Sequence, residues 1–108
     1  MTEPTISKRE LPELHQAELG PETLEALFAD LQTLTQILTV IPKATRGHIQ
    51  PEYISLAQGR ELILNGKLRG LQIRYMYDGD EWWDTLIITS NGIRITRIKQ
   101  EYSYSEEP

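Results

Sequence analysis

From residue 21 to residue 41 the apolar positions Leu24, Leu27, Phe28, Leu31, Leu34, Ile37, Leu38 and Ile41 recur at spacings of three and four. That is the period of one face of an α-helix. Gly20-Pro21 opens the stretch. Proline is favoured at the first helical position, where its missing N–H has no partner to lose. Glu22 and Glu25 suit the positive end of the helix dipole. Pro42 closes the stretch, because the residue before a proline avoids the helical region. The pattern predicts one long amphipathic helix over 21–41, with its stripe in the core.

Residues 43–50 form a polar loop, and Pro51 restarts helical character. Tyr53, Ile54, Ala57 and Leu64 can share a helical face, and Asn65-Gly66 suits a helix C-terminus. Gly59 weakens this second helix, expected over 51–65. Its rival is a short strand at Glu61 to Leu64 turned by Asn65-Gly66; helix is preferred. Residues 1–19 show no strong period, and Pro4 and Pro12 interrupt them. They read as a largely disordered arm, with a short turn of helix from Pro12 through Leu19.

From residue 70 the period changes to two. Leu71, Ile73, Tyr75 and Tyr77 alternate with Gln72, Arg74 and Met76, and two further β-rich runs follow at Trp82 to Thr89 and Ile93 to Lys99. Turn signals separate them at Asp78-Gly79-Asp80 and Asn91-Gly92. The result is a three-stranded antiparallel meander over 70–99. The expected fold class is therefore α+β, one long helix and a second helix packed on that meander. One domain spans 20–101, and 102–108 is a disordered acidic tail.

A two-residue turn at Asn91-Gly92 sets Asp84 opposite Lys99 and Leu86 opposite Arg97. A tight Gly79-Asp80 turn sets Tyr75 opposite Asp84; choosing Asp78-Gly79 slides that pairing by two and preserves the faces. One face then carries Leu71, Ile73, Tyr75, Tyr77, Trp82, Leu86, Ile88, Ile93 and Ile95, and should lie under the long helix. The other mixes Gln72, Thr85 and Thr96 with Arg74, Met76, Trp83, Ile87, Arg94 and Ile98: either the 51–65 helix or the N-terminal segment covers it, or it is an exposed patch for a partner. Asp84 falls on the apolar face, where a carboxylate is costly without a partner. Lys99 lies opposite it and Arg97 diagonally, so a salt bridge or strand-end hydrogen bond near the sheet edge is its ordinary explanation.

Composition narrows the function. The chain has 108 residues, no cysteine and two histidines, His15 and His48. Thiol catalysis, disulfides and thiolate metal sites are excluded, and no spacing supports a histidine metal site. No cofactor is expected. No run approaches the ~20 apolar residues of a membrane span, and the first residues do not read as a signal peptide. A cytoplasmic, bacterial-type protein is the simplest expectation. Net charge is −5, which disfavours nucleic acid. A basic middle, Lys43 to Arg74, lies between acidic ends, and a mixed solvated surface accounts for it. Gly66-Lys67 is not a phosphate loop, and Asp78-Gly79-Asp80-Glu81 is too short for a calcium loop.

Leu71-Gln72-Ile73-Arg74-Tyr75, Glu81-Trp82-Trp83-Asp84-Thr85-Leu86 and Asn91-Gly92-Ile93-Arg94-Ile95 together resemble small accessory proteins of bacterial NiFe-hydrogenase maturation. The resemblance leaves the N-terminal helix unmatched and carries over no functional residue. It implies a non-enzymatic assembly factor that holds a folding subunit. From the residues themselves, the expected function is protein binding through Arg74, Met76, Trp83, Ile87 and Arg94, because Trp and Arg are typical anchors. The alternatives are a nucleic-acid-binding regulator and a small enzyme centred on Asp84 with Tyr75.

Overall fold

A computed structural model describes residues 14–43 and 53–100, and the backbone alone of 14–16. The expected disorder of residues 1–10, the 43–50 loop beyond Lys43 and the tail from 102 lie outside these residues. In chain order the elements are β1 (Leu14–Leu19), α1 (Pro21–Leu34), β2 (Gln36–Lys43), α2 (Leu56–Leu64), β3 (Gly70–Tyr77), β4 (Asp80–Thr89) and β5 (Gly92–Lys99). The five strands make one antiparallel sheet ordered β1-β5-β4-β3-β2. The class is α+β with two helices, as expected. The meander is present as β3 to β5, and two edge strands extend it.

Both additions correct a helical expectation. Residues 12–19 were expected to hold a turn of helix within a disordered arm, yet Leu14–Leu19 pairs with β5 along its whole length. The helix expected over 21–41 ends at Leu34, and Thr35 takes an extended backbone, φ −129°, ψ 169°. Beyond it Thr35, Ile37, Thr39, Val40 and Ile41 are β-branched, which favours strand over helix. The hydroxyls of Thr33 and Thr35 donate to Ala29 O and Leu31 O at 2.8 and 2.7 Å, and the second of these serves a carbonyl of the last turn. Pro42, expected to stop the helix, instead sits in an edge strand, where its missing N–H costs no ladder bond. Leu34 and Leu38, expected in the core stripe, are exposed.

The second helix is shorter than expected, and a capping box starts it. Gln58 N–H donates to Ser55 Oγ at 3.0 Å, and Ser55 N–H donates to Gln58 Oε1 at 2.9 Å. At its end Lys67 N–H bonds Leu62 O and Gly66 N–H bonds Ile63 O, with Gly66 at φ +71°. This is the Schellman closure that Asn65-Gly66 promised. The buried positions are Leu56, Gly59 and Ile63, rather than Tyr53 and Ala57, which are exposed. Gly59 lets the helix approach the sheet: a Cβ there would lie 2.9 Å from Leu71 Cδ2.

Both hairpins differ from the preferred register by two residues. The first loop is Asp78-Gly79, at φ +57° and +85°, and sets Tyr75 opposite Trp82 and Ile73 opposite Asp84. The second pairs Thr89 with Gly92, leaving Ser90-Asn91 as the loop. Asn91 does not take the positive φ that an Asn91-Gly92 turn requires. Thr89 explains the choice: its hydroxyl accepts from Asn91 N–H and donates to Gly92 O, each at 3.1 Å. Asp84 therefore opposes Arg97, not Lys99, and Leu86 opposes Ile95. Because a slide of two preserves parity, the faces stand: Trp82 points in and Trp83 out.

Both helices cover one face. Leu24, Phe28 and Leu31 of α1 and Leu56 and Ile63 of α2 join Val40, Leu71, Ile73, Tyr75, Trp82, Leu86 and Ile95 in one core. Among the described residues no helix lies on the other face.

Candidate functional site

Two places carry chemistry, one on each side of the sheet. The open face holds the five residues expected to bind a partner, brought onto neighbouring strands. Arg74 and Trp83 are directly opposed, and the guanidinium sits 3.8 Å from the Trp83 ring centroid. Such a contact contributes about 0.5–1 kcal/mol where exposed. Arg74 Nε donates to Gln72 Oε1 at 2.9 Å, Gln72 Nε2 to Thr85 Oγ1 at 3.2 Å, and Trp83 Nε1 to Glu81 Oε2 at 2.8 Å. The Arg74 contact across the strands and the Glu81 hydrogen bond within β4 thus fix the orientation of the tryptophan. Around it Met76 is half-buried, Ile87 is 38% exposed and Ile98, opposite Trp83, is 43% exposed. Arg94, opposite Ile87, is held by Glu18 of β1 at 3.4 Å. Glu81 and Glu18 offset the two arginines, so the face is apolar and amphoteric rather than basic.

The second place is inside. Asp84 is 0% exposed on β4, the central strand of five, not near a sheet edge as expected. Arg97 grips it with both edges of the fork: Nε to Oδ1 at 2.8 Å and Nη2 to Oδ2 at 2.7 Å. Tyr75 OH donates to Oδ1 at 2.9 Å. Burial, then the negative charge of Asp84, pushes the Tyr75 hydroxyl well above the ordinary tyrosine range. Burial works against the charge of Arg97, but hydrogen bonding and attraction from Asp84 outweigh it and raise its hold on the proton. The register shift turns Arg97 from a diagonal neighbour of Asp84 into its direct partner across the strands. Trp82, beside Tyr75 in the register, has a buried Nε1 with no acceptor among the described residues.

Arg97 and Tyr75 also form the floor of a cleft of about 390 Å³ between α1 and the sheet. Its walls include Leu27, Asp30, Leu31 and Leu34 of α1 and Leu19 and Ile95 of β1 and β5. The helix periodicity gave no sign of it, because it depends on where α1 crosses the sheet. A second depression of about 310 Å³ lies between the helices, beside the Arg60–Glu25 ion pair at 2.8 Å.

An Asp84-centred enzyme needs a carboxylate that substrate can reach. Asp84 is instead fully covered and saturated by Arg97 and Tyr75. Among the described residues no three His, Asp or Glu side chains group as metal ligands, and no helix is long and apolar enough to cross a membrane. Comparison with known protein families, curated proteins and solved structures gives no match for this chain.

Proposed function

We propose that this chain is a non-enzymatic protein-binding module, an adaptor or assembly factor that docks a partner on the open face of its sheet. One observation carries the reading: the helices occupy a single face, and the other presents an oriented Trp83 with Arg74, Met76, Ile87 and Arg94 around it. A tryptophan stacked by arginine within an apolar surround has the composition of a binding hot spot. The paired glutamates reduce the attraction of this face for a polyanion, so protein is favoured over nucleic acid. A folding subunit of a NiFe-hydrogenase or similar metalloenzyme is the client that the sequence resemblance implies, and it is the first to assay. Titrating such a subunit into the purified chain should change Trp83 fluorescence saturably. Replacing Trp83 and Arg74 by alanine should weaken binding at least tenfold while the far-UV spectrum and melting remain native. Binding unchanged by these substitutions would refute the assignment of the face.

A further inference from the structure

We propose that the cleft beneath α1 is a separate binding site for a small neutral ligand, mostly aliphatic, whose single oxygen acceptor takes a hydrogen bond from Arg97. The apolar part follows from the walls: Leu19, Leu27, Leu31, Leu34 and Ile95 line the space. At about 390 Å³ it falls within the range of small-molecule sites, roughly 300–1,000 Å³. Leu34, 63% exposed, leaves an apolar lip at the mouth.

The polar part follows from the floor. Arg97 lines the cleft, and 15% of its side chain is exposed. A guanidinium has five N–H donors; Asp84 accepts from Nε and Nη2, and the Tyr75 oxygen is a further acceptor beside the fork. Donors therefore remain for an acceptor arriving from the cleft. A buried ion pair is a poor way to gain stability, since apolar residues of equal volume often serve as well or better. Placing one at the floor of an apolar cleft gives the fold something an apolar pair lacks: a fixed donor in a low-dielectric setting.

The charge of the ligand follows from the carboxylates. Asp84 neutralises Arg97, and Asp30 adds a second negative charge on the α1 wall. An anion meets that excess, and a cationic head group offers no acceptor to the guanidinium N–H donors. A neutral carbonyl meets neither penalty.

The test uses the full chain with ¹³C-labelled methyl groups, titrated with 2-decanone and, separately, with decanoate. The ketone should shift the Leu27, Leu31 and Ile95 methyl signals saturably, and decanoate at neutral pH should bind at least tenfold more weakly. Ala26→Trp fills the cleft from an exposed position on α1, and should weaken the ketone at least tenfold. Asp30→Asn should strengthen decanoate about threefold or more. Trp83→Ala should leave ketone binding intact, which separates this site from the protein-docking face. The proposal is overturned by the absence of saturable shifts up to the ketone's solubility limit. It is equally overturned by ketone binding that survives Ala26→Trp, by decanoate binding as tightly as the ketone, or by an Asp30→Asn variant with unaltered decanoate affinity.

Discussion

Asp84 shows how much a single position can demand. It lies at 0% exposure in the middle of the sheet and is held by Arg97 and Tyr75. Removing one partner leaves the other charge buried and unpaired, which costs about 3–5 kcal/mol. Asp84→Ala should lower the unfolding free energy by that amount in urea denaturation. The double variant Asp84→Leu/Arg97→Met removes both charges and should recover most of the loss. Tyr75 adds a pH signature. Its folded pKa is raised above the unfolded value of about 10, so its contribution is intact below that pH and is lost as pH rises further. Above about pH 10 stability should fall by roughly 1.4 kcal/mol per pH unit from this group. Tyr75→Phe should remove that slope, as measured by urea unfolding across pH 9–11.5. The sequence exposed Asp84 through strand parity alone. Both candidate counter-ions, Lys99 opposite and Arg97 diagonal, were visible there; choosing between them depends on the Thr89 hydroxyl, a local bond that turn statistics do not weigh.

Among the elements, legibility tracked the strength of the local period. Strands β3 to β5 alternate cleanly, and their faces survived two register slides because each slide was even. The passage from α1 to β2 was not legible in the same way. Ile37, Leu38 and Ile41 continue a three-four spacing, and only the β-branched run from Thr35 argues for strand. Strand β1 is short and mixed in polarity, with no clean alternation along Leu14–Leu19, so its pairing to β5 is a tertiary outcome that local pattern does not announce. Helix α2 was foreseen through its Asn65-Gly66 end, but its buried side was not, because Gly59 is an inward position without a side chain. Gly59→Val should therefore cost about 1–3 kcal/mol by overpacking against Leu71 and Val40, read as a lowered melting temperature. Ser55→Ala should cost about 1 kcal/mol through loss of the cap, with the helix packing otherwise retained.

At the scale of the whole molecule, a sheet with both helices on one side has two unequal surfaces. The covered side holds the core, the Asp84 ion pair and the cleft. The other presents Trp83, Arg74, Met76, Ile87 and Arg94 on adjacent strands. The five residues came from parity, and the fold sets them on one surface; what the sequence could not supply was whether α2 would cover it. The central claim is that this open face is where a partner protein docks. Quantitative affinity purification of the tagged chain from its own cells, run in parallel for the native protein, Trp83→Ala and Glu22→Ala, tests it most directly, since Glu22 is exposed on α1, which lies on the opposite side of the sheet. The expected result is a stoichiometric partner that Trp83→Ala loses at least tenfold and Glu22→Ala retains. A partner set unchanged by Trp83→Ala in a natively folded variant would contradict it.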